Sequence, residues 1–395
     1  MNHWHTKILM AGMMFVLAAV CAAGERPAPK SAQPSSPVYL ATNEDNTRHS
    51  YVGFFLAGGS LSDPQLTLQT ELLTHGFGIA GGFFGTSRIV MLNSGANQCA
   101  FASEAGTGNI AGTSMSTFAL TGMFSASNSD SGVSNGIGMA ISASYLYAGF
   151  SDSNTIATFS VGAGCQLSFL GDVSTNPLNG GNLNGIAARG NILIVTFGDG
   201  SIQSFNISGG MPVSNNDAQM STGSTYNYQP VGIDITQDGR YAIFGDSSVS
   251  TTVEVSDISS GKLKKTTYYD LGTAVNSGNV RLSPDQSLLY IVNSQGGTVT
   301  AGFFNASTGK VTPGCTSPTL RGLFDTWSFL GGIDMELNTG TGGVLYVGEF
   351  FPSSSVGMIV VNSNGTTCTL TEAAASPVAA NGNVLSVATF PPRSF

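Results

Sequence analysis

Two aspartates, an arginine and a histidine are the residues of this chain whose types suit acid–base hydrolysis. Asp234 and Asp334 each follow a Gly-Ile pair, in the segments GIDITQDG and GIDMELN, and Arg281 lies in the similar segment GNVRLSPD. Such a reaction needs a base or an activated water, and a cation that stabilises the developing oxyanion. The sequence therefore offers Asp234, Asp334, Arg281 and His75 as candidate catalytic residues.

Each of these residues also has a structural interpretation. Repetition of the aspartate in two equivalent segments favours hydrogen bonds to the backbone of a neighbouring strand, and Arg281 could pair with these acids. His75 directly precedes the glycine segment that begins at Gly78, in a loop that either meets a central cavity or lies on the surface. Both interpretations stay open at this point.

A second group of polar residues ends the predicted second strand of each repeat. Its members are Asn43, Asn93, Asp152, Asp199, Asp246, Asn293 and Glu349. Their oxygens at one channel mouth would bind sugar hydroxyls or Ca²⁺, although Asn and Asp also suit turns. We predict Asp152, Asp199, Asp246, Asn293 and Glu349 as candidate ligand-binding residues. The sequence contains no His, Cys, Asp or Glu cluster with metal-ligand spacing, so Ca²⁺ is the only cofactor left open.

The elements that must position these residues repeat seven times. A glycine opens each repeat, and the gaps between successive glycines are 46 to 60 residues. The seven are Gly78, Gly138, Gly185, Gly232, Gly278, Gly332 and Gly382. A repeat of about 40 to 50 residues in a strand-rich chain is typical of a β-propeller, whereas a parallel β-solenoid has a repeat about half as long. We predict an all-β, seven-bladed β-propeller with four-stranded antiparallel blades.

The first predicted blade is split between the two ends of the chain. Residues 37–75 supply only its second, third and fourth strands, and Asn383–Phe390 supplies the first. The C-terminal strand therefore completes blade 1 and closes the ring. We expect glycine at the start of each first strand because seven such strands converge on one axis. The long interval after Gly78 is absorbed by residues 106–136, as a surface loop or a decorated outer strand.

One group of motifs carries a family resemblance. Leu289-Tyr290-Ile291-Val292-Asn293, preceded by Val280–Asp285, resembles the bacterial YVTN-repeat propellers, and residues 233–262 and 280–310 fit that repeat best. The segments 344–347 and 38–43 carry it in two further blades. The same superfamily includes lactonase-like propellers, which resemble bacterial 6-phosphogluconolactonase, and exported propellers without an assigned reaction. The resemblance implies the fold but does not choose between these functions.

The N-terminus has the features of an export signal. Lys7 precedes an apolar run of 13 residues, Ile8–Val20, and Val20-Cys21-Ala22 offers small residues before a cut. We predict a signal peptide over residues 1–23, a Pro/Ser-rich tether over 24–36 and a single propeller domain over 37–395. The apolar run is too short to span a membrane, so we predict a periplasmic or extracellular protein with no integral span. A lipid tether at Cys21 stays open.

The net charge limits the classes of binding partner, and the cysteines raise the question of disulfide bonds. The formal net charge is −9 at pH 7 and no basic cluster is present, which argues against nucleic acid as a partner. Export would allow Cys99, Cys165, Cys315 and Cys368 to be oxidised. The last three open the predicted fourth strands of three different blades, and we expect such equivalent positions to lie too far apart for a bond. Whether the chain forms any disulfide, or keeps these cysteines as small buried apolar side chains, stays open.

The sequence favours an exported propeller that binds a partner protein or a glycan at its channel-mouth face. Its support is the absence of a Gly-x-Ser-x-Gly elbow or a phosphate-binding loop, and a charged fraction of only 9%. The alternative is a lactonase-like hydrolase with Asp234, Asp334, Arg281 and His75 in a central cleft. Convergence of these side chains would favour the enzyme, and acids bonded only to neighbouring backbone would favour the binding protein.

Overall fold

Seven antiparallel sheets make up the part of the chain that the structure, a computed structural model, describes. The described residues are 37–80, 87–127, 130, 136–247, 250–272, 277–294, 296–322, 329–335, 342–351 and 353–392. We number the blades 1 to 7 from the N-terminus and call their strands inner, second, third and outer, from the axis outwards. The predicted seven-bladed propeller is confirmed.

The strands of each blade follow one another in the chain except in blade 1. Blade 1 contains Asn383–Phe390, Val38–Asp45, Tyr51–Ser60 and Asp63–Leu73. Blade 2 contains Ile89–Ser94, Asn97–Glu104, Asn109–Ser114 and Ala119–Ser125. Blade 3 contains Ile137–Ser142, Tyr145–Phe150, Thr155–Val161 and Leu167–Ser174. Blade 4 contains Leu183–Arg189, Ile192–Phe197, Ser201–Asn206 and two short outer pieces, Val213–Ser214 and Gln219–Met220.

The remaining three blades have the same order. Blade 5 contains Gln229–Ile235, Tyr241–Ser247, Thr252–Asp257 and Thr267–Asp270. Blade 6 contains Ser277–Leu282, Leu288–Asn293, Thr298–Asn305 and Lys310–Thr316. Blade 7 contains Phe329–Met335, Gly342–Phe351, Ser355–Ser363, Cys368–Glu372 and the short strand Val378–Ala379. Two 3-10 helices, Ala163–Cys165 and Gly223–Tyr226, lie in connecting segments.

The hydrophobic core is divided among the interfaces between neighbouring blades. In blade 6, Leu289 and Ile291 of the second strand pack against blade 5, while Tyr290 and Val292 pack against blade 7. Side chains alternate between the two faces of a strand, so a second strand must be apolar on both faces. This explains why the second strands are the most apolar and aromatic segments of the sequence.

Glycine at the inner-strand starts reflects the close approach of neighbouring blades. A Cβ on Gly185 would lie 2.0 Å from the carbonyl oxygen of Val231 in the next blade. A Cβ on Gly232 would lie 2.6 Å from the carbonyl oxygen of Gly278. No side chain fits at either position, as expected for strands that converge on one axis.

The C-terminal strand closes the ring, as predicted. Asn383–Phe390 pairs antiparallel with the second strand of blade 1, Val38–Asp45. Val384 and Val387 belong to the apolar cluster between blades 7 and 1, and Ala388 and Phe390 belong to the cluster between blades 1 and 2. One strand from the end of the chain therefore contributes to the cores of two blade interfaces.

Blade 2 departs from the prediction. Its inner strand is Ile89–Ser94, which overlaps the segment predicted as its second strand, and Gly78 lies in the loop that leads to it. A Cβ on Gly78 would overlap the carboxylate of Asp45, which also accepts hydrogen bonds from the backbone of residues 79 and 80. Gly78 thus allows a close approach between a loop and a side chain, rather than between two inner strands. The third and outer strands of blade 2 occupy residues 109–125.

Two disulfides join neighbouring blades, and the expectation that Cys165, Cys315 and Cys368 lie too far apart from one another for a bond is wrong for Cys315 and Cys368. Cys99 bonds to Cys165, and Cys315 bonds to Cys368, with Cα separations of 5.6 and 5.7 Å. The positions are not equivalent, because Cys165 lies in a 3-10 helix before an outer strand, Cys315 is the second-last residue of its strand and Cys368 is the first of its strand. Disulfides persist in oxidising compartments, which agrees with export.

The predicted export signal lies outside the residues that the structure describes. The predicted signal peptide and tether, residues 1–36 with Cys21, fall outside the described residues. Among the helices of the described ranges, none has the length and apolar character needed to cross a membrane.

Candidate functional site

One layer of the inner strands places three charged residues side by side. Each second strand contains a six-residue motif, such as LLYIVN in blade 6, and the layer consists of the inner-strand residues that pair with the third residue of that motif. In blades 1 to 7 these residues are Ala388, Val90, Ala140, Ala187, Asp234, Arg281 and Asp334. Blades 1 to 4 contribute small or aliphatic side chains, and blades 5 to 7 contribute all the charge.

We call Asp234, Arg281 and Asp334 the Asp–Arg–Asp arc. The Arg281 Nε donates to Asp334 Oδ1 at 3.1 Å. The Arg281 side chain is 21% exposed, whereas that of Asp334 is only 5% exposed. Asp234 is also buried. The guanidinium is therefore the member of the arc that a molecule in the central channel would meet.

Both aspartates also connect neighbouring blades through the backbone. Asp234 Oδ2 accepts the N–H of Leu282 in blade 6 at 2.8 Å. Asp334 Oδ2 accepts the N–H of Thr389 in blade 1 at 2.9 Å and the Thr389 hydroxyl at 3.0 Å. Each acid thus satisfies an inner-strand N–H of the next blade while it lies beside Arg281.

Electrostatics keep the guanidinium of Arg281 charged. Burial acts to lower the pKa of Arg281, but the carboxylates of Asp334 and Asp234 outweigh it, so the pKa is raised above its ordinary value. A planar guanidinium fixed by carboxylates is a preorganised donor for a carbonyl oxygen, an oxyanion or a carboxylate.

The strand register, and not the distance from the preceding glycine, places Arg281 in the arc. Counted from Gly278, Arg281 lies one residue further along than Asp234 does from Gly232. Arg281 nevertheless pairs with the third residue of its second-strand motif, as both aspartates do. Similar register shifts occur earlier in the inner strands of blades 5, 6 and 7, so Gly278 is not the register equivalent of Gly232.

His75 lies away from the arc. Asp234 is the sixth of the seven residues in its inner strand, close to the hairpin that leads to the second strand. His75 is exposed in the loop that precedes the inner strand of blade 2, at the opposite face of the propeller. An inner strand of six or seven residues spans roughly 20 Å. The structure therefore brings together three of the four candidate catalytic residues.

The predicted ligand-binding residues fall into two groups. Asp246, Asn293 and Glu349 occupy the last position of the six-residue motif and are fully buried. Asp152 and Asp199 lie two residues beyond the motif, in the turns that follow the second strands of blades 3 and 4. Sequence reasoning missed Glu44 and Glu104, which hold the same last position in blades 1 and 2 and are equally buried. Alignment of the six-residue motif is the signal that would have found them.

Several carboxylates at this end accept backbone hydrogen bonds from loops that enter the inner strands. Glu44 Oε2 accepts the N–H groups of Asn381 and Gly382 at 3.0 and 3.2 Å. Asp199 Oδ2 accepts the N–H of Asn179 at 2.7 Å. Glu349 differs, because the side-chain hydroxyls of Ser355 and Ser353 donate to its Oε2 at 2.6 and 3.5 Å. The N–H of the buried Gly382 needs such an acceptor, whereas Asn179 and Asn381 are exposed.

Burial changes the acidity of this group. Burial raises the pKa of Glu44 and of Glu349 to about 7, and that of Glu104 to about 8. Burial, and then the neighbouring Glu254 carboxylate, raise the pKa of Asp246 well above its usual value. A buried neutral carboxyl group costs less desolvation free energy than a buried carboxylate.

The described part of the chain contains no cluster of typical metal ligands. Among the described residues, no group of three or more His, Cys, Asp and Glu side chains is arranged to hold a metal ion. The calcium site stays a prediction.

Comparison with solved structures finds the same propeller fold in proteins of different descriptions. A "putative 6-phosphogluconolactonase" from Bacteroides fragilis has a TM-score of 0.68 and 13% identity, over 91% of this chain and 99% of that one. The periplasmic gluconolactonase PpgL from Pseudomonas aeruginosa has a TM-score of 0.63 and 13% identity, over 89% and 100%. A functionally unknown protein from Desulfotomaculum acetoxidans has a TM-score of 0.62 and 12% identity, over 90% and 99%.

The resemblance inferred from the sequence is therefore confirmed at the level of the fold. No family model matches the sequence. No curated protein matches it either.

Proposed function

We propose that this protein is an exported hydrolase that opens a sugar-derived lactone in the central channel, at the Asp–Arg–Asp arc. The observation that carries the proposal is the partly exposed guanidinium of Arg281, which lies between two buried carboxylates on three successive inner strands. A lactone carbonyl develops negative charge on its oxygen when water attacks it, and a fixed guanidinium stabilises that charge.

Each member of the arc has a distinct role in the proposed reaction. Arg281 donates to the lactone carbonyl oxygen as water adds to the carbonyl carbon. Asp234 accepts a proton from that water. The ring C–O bond then breaks, the ring oxygen takes the proton as an alcohol, and the product is an open-chain carboxylic acid, which ionises in water. Asp334 is a positioning residue, because its contact with Nε orients the guanidinium.

Two further observations support this function over other uses of the channel. Two of the structures with the same fold are described as lactonases, and one of those is periplasmic. The two disulfides agree with an exported enzyme of that kind.

A non-enzymatic binding platform for a partner protein or a glycan is the second candidate. The observation in its favour is that both aspartates accept inner-strand N–H groups, which is the arrangement a purely structural role would give. On this account Arg281 would bind a ligand without any turnover.

Replacement of the two acids tests the assigned roles. We expect Asp234→Asn to lower kcat by roughly a hundredfold, the size of a lost general base, with KM changed less than threefold. We expect Asp334→Asn to lower kcat by about tenfold, because the guanidinium loses its orienting partner. Initial rates on D-glucono-1,5-lactone, its 6-phosphate and γ-butyrolactone measure this, after subtraction of spontaneous hydrolysis.

The matched control is Asp238→Asn, in the exposed hairpin of blade 5, which should leave turnover unchanged. Thermal unfolding of all three variants separates loss of chemistry from loss of fold. No turnover by the wild type on any of the three lactones would instead support the binding platform.

A further inference from the structure

Three tyrosines form an aromatic cluster on the surface of blade 5. Tyr226 ends the 3-10 helix Gly223–Tyr226, Tyr228 follows it, and Tyr268 lies in the outer strand Thr267–Asp270. The ring centroids are 5.9 Å apart for Tyr226 and Tyr228, 5.4 Å for Tyr226 and Tyr268, and 6.1 Å for Tyr228 and Tyr268. The interplanar angles are only 20° to 33°, so the three rings are nearly parallel.

Tyr226 is the outermost ring of this cluster. The residue is 59% exposed, although the two other rings support it from behind. Contact with the two other rings stabilises the Tyr226 ring and restricts its orientation, although more than half of the residue is exposed. The cluster therefore presents an ordered aromatic ring to solvent.

The segment that carries Tyr226 is fixed by buried hydrogen bonds. Glu254 is fully buried, and its carboxylate accepts the N–H groups of Thr222 and Gly223, each at 2.8 Å. The Thr222 hydroxyl donates to the carbonyl oxygen of Thr266 at 2.6 Å, which ties the segment to the strand of Tyr268. The tyrosine face is thus built before any ligand arrives, and binding need not order it.

The surface area of the cluster limits the kind of ligand that it can bind. One aromatic side chain offers at most about 150 to 250 Å², so three partly covered rings fall far below the roughly 1,000 Å² of a stable protein interface. That area matches one or two sugar rings. Polar groups lie beside the rings, since the Ser250 hydroxyl and the Asp270 carboxylate both interact with Tyr268. Such a rim supplies hydrogen bonds to hydroxyls around an apolar stacking surface.

We propose that Tyr226, Tyr228 and Tyr268 form a carbohydrate-binding platform for a neutral glycan of β-1,4-linked pyranoses. Pyranoses with equatorial substituents expose flat C–H faces that stack on aromatic rings, while their hydroxyls point outwards to the polar rim. Tyr228 directly precedes the inner strand Gln229–Ile235, so the platform lies at the face where the inner strands begin, whereas Asp234 lies near the end of its strand. The proposal does not depend on the hydrolase.

Isothermal titration calorimetry with cellohexaose and chitohexaose tests the platform, with maltohexaose as an α-linked comparison. We expect at least one β-linked hexasaccharide to bind more tightly than maltohexaose. Tyr226→Ala should weaken that binding at least tenfold, and Tyr226→Phe, which keeps the ring, should weaken it less than threefold. The matched control is Phe351→Ala in blade 7, because Phe351 is also an exposed aromatic residue, at 51%. This control should bind the saccharide like the wild type.

Several outcomes would overturn the proposal. They are absence of binding to both β-linked hexasaccharides, and equal binding by the wild type and Tyr226→Ala. A dimer that light scattering detects in the wild type but not in Tyr226→Ala, without saccharide binding, would assign the cluster to a second copy of this chain. Tyr226→Ala should keep its full rate on small lactones, so failure of this proposal and failure of the hydrolase proposal are distinguishable.

Discussion

Removal of residues 383–395 should leave the protein unfolded at 25 °C. The deletion takes away the inner strand of blade 1, with its ladder to Val38–Asp45, and four buried apolar residues that serve two interfaces, Val384, Val387, Ala388 and Phe390. Burial of each of the larger side chains contributes about 1.5 to 3 kcal/mol. Their sum and the lost hydrogen bonds are comparable with the whole free energy of unfolding, about 5 to 15 kcal/mol. Circular dichroism and thermal unfolding would measure the effect.

Point variants keep this prediction testable if the truncated chain aggregates. Val387 is fully buried, and Val387→Asn should lower the free energy of unfolding by about 3 kcal/mol or more. Val213→Asn is the matched control, because Val213 is 65% exposed and should tolerate the change within about 0.5 kcal/mol. A synthetic peptide of residues 381–392 should restore the fold to the truncated chain. A truncated chain that unfolds cooperatively near the wild-type temperature would contradict ring closure.

The folded protein should be more stable at pH 5 than at pH 9. Burial raises the pKa of Glu44 and Glu349 to about 7 and that of Glu104 to about 8, from 4.5 in an exposed glutamate. Between these values the folded state binds more protons than the unfolded state, so the free energy of unfolding falls as pH rises. The stabilisation is fully present below about pH 4.5 and is lost as pH rises through the folded pKa values. Each pKa unit corresponds to about 1.4 kcal/mol, so the three groups together contribute several kcal/mol.

Calorimetric melting at pH 5, 7 and 9 measures this dependence. We expect the melting temperature to fall by roughly 10 °C or more between pH 5 and pH 9. Glu104→Gln replaces the neutral acid by a neutral amide, so this variant should lose less stability over the same range than the wild type. Asp63→Asn, at an exposed position, is the control and should follow the wild type. A melting temperature that rises from pH 5 to pH 9 would show that these carboxyls are ionised in the folded state.

The fold was predictable because each blade repeats the same sequence pattern. Glycines at inner-strand starts and apolar second strands recur at a spacing that only a propeller accommodates, and the missing strand of blade 1 has one source in the chain. The strands of blade 2 were assigned wrongly because Gly78 occurs close to the spacing of the repeat. Gly78 is not at the start of an inner strand, and its lack of a side chain leaves space for the Asp45 carboxylate. A glycine needed for a side-chain contact and a glycine needed for strand convergence look the same in a sequence.

The site was predictable in composition but not in arrangement. Asp234, Arg281 and Asp334 stood out as charged residues on apolar strands, yet only the register between inner and second strands shows that they lie in one layer. His75 was grouped with these residues because its loop leads to an inner strand. The loop lies where the inner strands begin, whereas Asp234 lies near the end of its strand. The disulfide pairing was not predictable, since the cysteines pair at unequal heights in adjacent blades and repeat equivalence carries no information about that offset.

The central claim, that Arg281 opens a lactone in the channel, has one direct test. Hydrolysis of D-glucono-1,5-lactone is followed with the wild type and with Arg281→Gln, at equal protein concentration and with the spontaneous rate subtracted. We expect the wild type to exceed the spontaneous rate and Arg281→Gln to lose at least a hundredfold in kcat/KM, in line with the loss of a donor to an oxyanion, while its fold is retained. Turnover by a folded Arg281→Gln variant at the wild-type rate would contradict the claim and remove the arc from the chemistry.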